Sequence, residues 1–381
     1  MSKLGNRLFN WYDSHSTFLP FKKQLAVIEK SSLNKSLSVM KKKVDEMSIG
    51  EMHEYAKINT KKELMEWIDN GAETEYTVHR NRMMLDEILL MPKSINTVEI
   101  ASTETDLFDK TYDMPIFIAP MGRMGWISKY GETSFGIASQ QMNIPLFVSE
   151  KSTYPIETIK KKSSADIIWM RYYDSGNDVQ NFIKSIERIK KIKGSGFGIT
   201  VDAQLSTKVK FRRLYNYATE DLKNRAIDMN KIKKIVSSSD LPVIIKGILN
   251  PLDAKEALES GVSAIIVSNH GGRNLDYSPS SIEMLPEIVK VVNGKIPVLF
   301  DSGVRYGTDV LKAISIGASG VLVGRPACWA LIAGEVNGVK RMLYTLQDEL
   351  KRAMILTGKK DLKSLKDMEK VHLLPSEINF L

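Results

Sequence analysis

Short apolar runs alternate with segments of helical spacing from about residue 112 onward. Strands that are buried on both faces appear as continuous apolar runs, and their alternation with helices is typical of parallel sheets. The intervening segments, such as 251–260 and 307–316, keep one polar face, as helices that cover a sheet do. The predicted strands are 116–120, 144–148, 167–170, 197–202, 242–247, 264–270, 297–301 and 321–325.

The number and spacing of these units predict an α/β fold, a (β/α)8 TIM barrel. An open, doubly wound sheet is the alternative, but eight strands between residues 116 and 325 favour the closed form. Residues 1–60 are rich in Lys and Ser and show weak helical periodicity, which predicts an N-terminal helical extension. Residues 61–381 are then expected to form the barrel domain.

The chain has 381 residues, of which 43% are hydrophobic and 26% charged, and this composition excludes collagen-like, low-complexity and largely disordered proteins. No apolar run is long enough for a transmembrane helix, and the first residues lack the pattern of a secretory signal. The single cysteine, Cys328, can form neither an internal disulfide nor a zinc site. These features predict a cytoplasmic protein without a metal centre.

The net charge of +9 raises the question of an anionic partner. Much of the excess comes from lysine clusters, for example at 41–43 and 160–162, which lie beside apolar helical residues. Such clusters usually form solvated helix faces. Because no basic–aromatic motif accompanies them, nucleic acid is not expected as a partner.

Side chains that can carry out chemistry follow the predicted strands at their carboxyl ends. In a barrel, those ends meet at one rim, where catalytic residues gather. The placement therefore predicts an active site at this rim. The residues are Asp202, Lys246, His270, Asp301 and Arg325.

Two glycine–arginine motifs follow the seventh and eighth predicted strands. Gly303 precedes Arg305 after one strand, and Gly324 precedes Arg325 after the next, with Pro326 at the expected first turn of a helix. Glycine lets backbone N–H groups approach an anion closely, and a helix N-terminus adds a favourable dipole. Because these two loops form the usual phosphate cradle of barrels, they predict a phosphate site.

His270 is the strongest candidate for a general base, since an imidazole takes up a proton near neutral pH. Two glycines follow it, and Arg273 can then hold a carboxylate through a bidentate pair of hydrogen bonds. Asp202, predicted to lie across the barrel, can stabilise the imidazolium ion once it forms.

Four segments of the chain are shared with one family of flavoenzymes. They are IAPMG at 118–122, IIKG at 244–247, IIVSNHGGRNLD at 265–276, and 298–326. On these segments the chain resembles the FMN-dependent 2-hydroxy-acid dehydrogenase and oxidase family, which includes glycolate oxidase, lactate oxidase, the flavin-type lactate dehydrogenase and mandelate dehydrogenase. The resemblance covers residues 60–372. It implies a TIM barrel that binds FMN and oxidises the α-carbon of a 2-hydroxy acid.

The resemblance also implies roles for single residues. His270 would be the active-site base and Asp202 its partner, while Arg273 would bind the substrate carboxylate. Tyr172 would serve in catalysis and substrate binding, and flavin N5 would accept a hydride or electrons. Whether the base takes its proton from the α-carbon or from the hydroxyl stays open. The implied cofactor-binding residues are Pro120, Met121, Gly122, Ser149, Thr200, Lys246, Ser268, Asp301, Gly303, Arg305, Gly324 and Arg325.

Several positions depart from the family pattern. Trp67 stands where a substrate-binding tyrosine is expected, and Val209 where a second substrate-binding arginine is expected. Met170 replaces a flavin-contacting glutamine, and Glu150 replaces a small hydroxyl residue. The active-site lid that precedes Lys246 is shorter than usual by roughly two to three dozen residues. The departures predict an altered substrate site beside retained flavin and proton-abstraction residues.

Three functions are open at this point. The first is FMN-dependent oxidation of a small 2-hydroxy acid. The second is the same chemistry on a larger or non-standard substrate, such as an amino acid, a peptide or a biosynthetic intermediate. The third, a flavin-binding partner protein without turnover, is disfavoured by the intact set of Lys246, His270, Arg273 and Asp202. Family members are commonly tetramers, so a homo-oligomer is expected by analogy.

Overall fold

The structure is a computed structural model that describes residues 38–173, 179–203, 228–366 and 370–372. The α-helices of eight or more residues in these ranges are α1 (Ile49–Asn59), α2 (Lys62–Asp69), α3 (Tyr76–Asp86), α4 (Glu132–Gln141), α5 (Ile156–Ser163), α6 (Val179–Lys191), α7 (Met229–Ser237), α8 (Pro251–Glu259), α9 (Ser281–Val292), α10 (Gly307–Ile316) and α11 (Arg325–Leu356). The strands are β1 (Ile88–Leu90), β2 (Thr105–Leu107), β3 (Lys110–Tyr112), β4 (Ile116–Ile118), β5 (Leu146–Ser149), β6 (Ile167–Tyr172), β7 (Gly196–Thr200), β8 (Val243–Ile248), β9 (Ala264–Val267), β10 (Val298–Asp301), β11 (Gly320–Val323) and β12 (Lys370–His372).

Strands β4 to β11 close into a barrel in chain order, with β11 pairing back onto β4, and every neighbouring pair is parallel. This confirms the predicted (β/α)8 TIM barrel. The register places Tyr172 of β6 opposite Thr200 of β7, and Thr200 opposite Lys246 of β8. Three of the predicted site residues therefore lie at one level of the barrel wall.

The barrel interior is filled by large side chains that pack against small ones. Phe117 and Phe147 are stacked with their ring centroids 6.0 Å apart, and both are fully buried. At Gly320 a Cβ would lie 2.6 Å from the Phe117 ring, so glycine is what leaves room for that phenylalanine. Burial of each such ring contributes about 1.5–3 kcal/mol. Continuous apolar strands are favourable here because both of their faces are enclosed.

The helices begin where the sequence supplies suitable caps. Asn250 accepts a hydrogen bond from the Leu252 N–H, and Pro251 occupies the first turn of α8. The predicted helical segments 251–260 and 307–316 correspond to α8 and α10. Helix α11 starts at Arg325 with a proline in its first turn, as expected, but its helical geometry is interrupted at Gly334 and Glu335.

Two small antiparallel pairs lie outside the barrel, β2–β3 and β1–β12. The hairpin between β2 and β3 turns through Phe108 and Asp109, which both have positive φ angles, of 52° and 61°. Such a two-residue turn matches the right-handed twist of the strands that it joins. Among the helices described, none combines the length and the apolar character that a membrane span requires.

Candidate functional site

A cavity of about 190 Å³ opens at the carboxyl ends of the barrel strands. Most of the residues predicted to form the site line it: Pro120, Met121, Gly122, Tyr172, Lys246, His270, Arg273, Asp301, Gly303, Arg305, Gly324 and Arg325. The structure therefore brings together residues that are more than 200 positions apart in the chain. The other predicted residues, Ser149, Thr200, Asp202 and Ser268, lie behind this wall and contact its members.

His270 and Asp202 form a hydrogen-bonded pair at the wall of this cavity. Nδ1 of His270 lies 2.9 Å from Oδ1 of Asp202, and the His270 backbone N–H donates to Ser268 Oγ over 3.0 Å. The Asp202 side chain rests against Gly247, where a Cβ would lie 2.4 Å from its carboxyl carbon. The glycine of the IIKG motif is thus required for this pairing, a role that the sequence analysis did not assign.

Asp202 is ionised in this setting. Burial by itself raises the pKa of the carboxyl group, but the nearby charges of His270 and Lys246 and the hydrogen bond from His270 lower the pKa below its ordinary value. An ionised carboxylate can only accept, so Nδ1 of His270 carries the shared proton. Among the described residues, Oδ2 of Asp202 is buried and has no hydrogen-bond partner.

Lys246 places a fixed positive charge in the same wall. It is only 4% exposed, and its Nζ lies 2.9 Å from Oδ2 of Asp301 and 2.6 Å from Oγ of Ser268. Burial alone lowers the pKa of a lysine, yet the carboxylates of Asp301 and Asp202 raise the pKa of Lys246 above its ordinary value. The ammonium group therefore keeps its charge at neutral pH.

Three arginines, Arg273, Arg305 and Arg325, surround the cavity without a matching number of carboxylates. Burial, followed by the charge of Arg325, lowers the pKa of Arg273 to about 10. Burial and the charges of Arg325 and Arg82 lower the pKa of Arg305 to about 9, and burial also lowers the pKa of Arg325. Because burial makes these positive charges unfavourable, binding of an anion is expected to stabilise the site.

The arginines and the neighbouring glycines fit the phosphate of FMN. Gly303 has a φ of +88°, a conformation that glycine adopts readily, and a Cβ there would lie 2.5 Å from the Asn81 carbonyl oxygen. At Gly324 a Cβ would have only distant neighbours, at 3.9 Å, so the backbone is open to a ligand. Arg305 and Arg325 would hold the phosphate there, beside the N-terminus of α11.

The positions that depart from the family pattern have different surroundings. Trp67 lines the cavity, with its ring centroid 5.6 Å from the Arg273 guanidinium carbon and 5.5 Å from the Trp126 ring. Met170 is buried above Gly198, where a Cβ would lie 2.0 Å from the Met170 sulfur. Oε2 of Glu150 accepts a hydrogen bond of 2.8 Å from Arg171. Val209 lies outside the described residues.

The structure adds residues that the sequence analysis missed. Ser302 lines the cavity, donates to Asp301 Oδ1 over 2.8 Å and accepts from the Gly271 N–H over 3.1 Å. Its place between Asp301 and Gly303 in the DSG sequence was the available signal. Cys328 also lines the cavity, and burial raises the pKa of its thiol to about 12, so it is not a thiolate.

A barrel with a carboxylate-paired histidine and an anion cradle at its carboxyl rim is a typical cofactor-dependent enzyme. Known proteins identify the class. The family model for FMN-dependent dehydrogenase matches residues 56–219 and 213–371. The 2-hydroxyacid oxidase of Dictyostelium discoideum is 34% identical over 358 residues, 86% of this chain and 92% of that protein. The L-lactate oxidase of Lysinibacillus sphaericus is 31% identical over 79% of this chain and 86% of its own length.

Solved structures agree with this comparison. A crystal structure of mandelate oxidase superposes with a TM-score of 0.80 at 28% identity, covering 85% of this chain and 98% of that one. The chain belongs to the FMN-dependent dehydrogenase family. It is an FMN-dependent oxidoreductase, and the resemblance seen in its sequence is confirmed.

Replacing Arg305 with methionine tests the anion cradle. We expect the dissociation constant for FMN to rise at least about tenfold, because a charge-assisted contact to the phosphate is lost. The melting temperature of the flavin-free protein should not fall, since the buried guanidinium is unfavourable without an anion. Flavin titration and thermal unfolding measure the two quantities. Arg188→Met, at an exposed ion pair with Glu157, is the control and should leave FMN affinity unchanged.

Proposed function

We propose that this enzyme oxidises a 2-hydroxy acid, with His270 as the base and Arg273 as the carboxylate-binding residue. The observation that carries the proposal is the 2.9 Å pairing of His270 with Asp202 at the wall of the cavity that Arg273 also lines. FMN, when bound, supplies the acceptor for the two electrons that the substrate loses. The residues of the chain bind the substrate, orient it and move its proton.

The proton is moved by His270. Asp202 accepts the hydrogen bond from Nδ1, which leaves Nε2 as the nitrogen that takes a proton from the substrate. The imidazolium ion that results is stabilised by the ionised carboxylate of Asp202. Lys246 keeps a second positive charge in the cavity wall, where it stabilises negative charge on a group bound next to it.

The substrate is oriented by Arg273 and Tyr172. The Arg273 guanidinium is held by the Ile68 carbonyl oxygen over 3.1 Å, so its direction is set before the substrate binds. The ring of Tyr172 lies 6.3 Å from that of His270, centroid to centroid, with an interplanar angle of 25°. The side chain of Tyr172 is also hydrogen-bonded to Ser149. We propose that the phenol and the guanidinium bind the polar groups next to the reacting carbon.

A larger substrate is a second candidate, and Trp67 is the observation that favours it. The indole ring of Trp67, which packs against Trp126, forms an aromatic wall next to Arg273, at a position where the family pattern expects a phenol. An indole offers a single N–H donor and a broad apolar surface. Such a wall suits a substrate with an apolar or extended side chain better than it suits glycolate.

Small acids are therefore expected to be poor substrates. Mixing the FMN-loaded protein anaerobically with glycolate or lactate should give a kcat/KM for flavin reduction below about 10⁴ M⁻¹s⁻¹. Trp67→Tyr should raise the value for lactate at least about tenfold by restoring a hydroxyl donor, whereas Trp67→Phe should not. Efficient turnover of lactate by the unaltered protein would contradict the altered substrate site.

We also propose a cytoplasmic location and a homo-oligomeric assembly. A buried free thiol at Cys328 supports the reducing location. The assembly is proposed by analogy with the family, as is the partner class, a small-molecule or peptide substrate. Light scattering on the purified protein measures the assembly directly, and a monomer at micromolar concentration would contradict it.

A further inference from the structure

The C-terminal end of α2 holds two of the cavity arginines. The Ile68 carbonyl oxygen accepts from Arg273 Nη1 over 3.1 Å and from Arg325 Nε over 3.3 Å. The Asn70 carbonyl oxygen accepts from Arg325 Nη2 over 3.4 Å. The last carbonyl groups of a helix lack partners within it and carry the negative end of its dipole, so they suit cations. Arg325 Nη2 also donates to the Gly271 carbonyl oxygen over 2.8 Å, so this helix end and Gly271 together set the position of Arg325.

Asp69, which lies between Ile68 and Asn70, fixes that helix end to two other helices. Its Oδ1 accepts from the indole N–H of Trp329 in α11 over 2.9 Å, and its Oδ2 lies 2.7 Å from Nε2 of His53 in α1. His53 stacks on Trp329, with ring centroids 4.0 Å apart. We call His53, Asp69 and Trp329 the α2 anchor.

The α2 anchor also contacts Arg305, the second of the two arginines expected to bind the FMN phosphate. The Arg305 guanidinium carbon lies 4.9 Å from the centroid of the Trp329 ring. The anchor thus contacts Arg305 through this ring and Arg325 through the backbone beside Asp69. His53 belongs to the N-terminal region, for which the sequence analysis found no chemical role.

The carboxylate of Asp69 is ionised. Burial raises the pKa of this group, but the hydrogen bond and charge of His53, the Trp329 N–H and the charge of Arg325 together lower the pKa below its ordinary value. Two effects of Asp69 on FMN can therefore be separated. As an acceptor it holds Trp329 and the end of α2. As a negative charge it disfavours a nearby phosphate, but it also favours the charged forms of Arg305 and Arg325.

We propose that the α2 anchor is a positioning cluster that holds Arg305 and Arg325 in the geometry required by the FMN phosphate. Through His53, helix α1 takes part in cofactor binding. The acceptor role of Asp69, rather than its charge, carries the effect. The inference rests on the proposed assignment of the phosphate to these two arginines.

The test compares FMN with riboflavin, which has the same ring system and ribityl chain but no phosphate. Flavin is removed from the full-length protein, and the dissociation constants of both ligands are measured by quenching of flavin fluorescence. The informative quantity is the preference, the riboflavin constant divided by the FMN constant. General damage to the flavin site weakens both ligands and leaves the preference unchanged. A phosphate-specific effect lowers it.

Three substitutions separate the roles. Asp69→Leu removes the acceptor and the charge, and Trp329→Phe removes the donor but keeps a ring; each should lower the preference at least about tenfold. Asp69→Asn keeps an oxygen acceptor for the Trp329 N–H, whereas it loses the charge and turns the atom that faces His53 Nε2 into an NH2 donor. If the acceptor for Trp329 carries the effect, the preference of this variant should stay close to that of the unaltered protein. The control is Glu66→Gln, which removes a carboxylate from an exposed pair on the same helix.

Each outcome decides the inference. A preference lowered by Asp69→Leu and Trp329→Phe but retained by Asp69→Asn and Glu66→Gln supports it. Equal loss of FMN and riboflavin affinity, or an unchanged preference in both disruptive variants, overturns it. A loss in Asp69→Asn as large as in Asp69→Leu also overturns it, because the retained acceptor for Trp329 would then not carry the effect. If the unaltered protein shows no preference for FMN, the phosphate assignment itself fails instead.

Discussion

The variant His270→Ala is expected to bind FMN normally and to reduce it about 10²–10⁴-fold more slowly with the true substrate, the usual cost of losing a general base. The imidazole lies at the cavity wall and is held by Asp202, whereas the predicted phosphate contacts come from Arg305 and Arg325, which lie in other loops. FMN binding and proton abstraction should therefore separate. Anaerobic stopped-flow reduction measures the rate, and flavin absorbance measures the binding.

A second histidine provides the control for this variant. His79 lies on the exposed face of α3, and His79→Ala should reduce FMN at the rate of the unaltered protein. The role of His270 as the base is refuted if its alanine variant retains the single-turnover rate. Loss of the flavin from His270→Ala would instead show that the imidazole is needed to build the cavity.

The variant Asp202→Asn is expected to slow flavin reduction by about 10²-fold or more, because a neutral amide no longer stabilises the imidazolium ion. The amide is close in size to the carboxylate, so the fit against Gly247 is kept and FMN should still bind. Stopped-flow reduction with the same substrate gives the comparison. A reduction rate within about threefold of the unaltered protein would contradict the role of the charge.

The same variant should change how stability depends on pH. The pKa of Asp202 is lower in the folded protein than in the unfolded chain, so this carboxylate adds stability above its ordinary pKa of about 3.9, and that stability is lost as the pH falls. Urea unfolding at pH 7 and near pH 3.5 should show a smaller acid-induced loss in Asp202→Asn. The exposed Asp240, replaced by asparagine, is the control and should behave like the unaltered protein.

The barrel could be predicted from the sequence because its signals are local. Each strand is enclosed on both faces, so an apolar run marks it, and each predicted run contains or overlaps a barrel strand. The proline in the first turn of α11 was likewise predicted from a short motif. The break at Gly334 and Glu335 was not, because it depends on packing: a Cβ on Gly334 would lie 2.6 Å from the Val44 side chain.

The sequence predicted which residues form the candidate site, but not which atoms contact each other there. Strand ends identified His270, Asp202 and Lys246, since the carboxyl ends of barrel strands meet at one rim. The partners of the arginines were not predictable. The Ile68 carbonyl oxygen that holds Arg273 and Arg325 is a backbone atom, and no side-chain pattern marks it. Ser302 was missed because its position between Asp301 and Gly303, its one signal in the sequence, does not show what its hydroxyl contacts.

The sequence by itself determined the class of fold, the cofactor-binding motifs and the residue types available for catalysis. Hydrophobic periodicity and the residues that follow each strand can both be recognised from positions that are close together in the sequence. Only the tertiary structure decided which atoms meet: the fit of Asp202 against Gly247, the pairing of Lys246 with Asp301, and the contact of Asp69 with Trp329. Asp69 and Trp329 are 260 residues apart, so their pairing depends on the tertiary fold. The distances between these atoms, and the electrostatic interactions that depend on them, are properties of the tertiary fold rather than of any local segment.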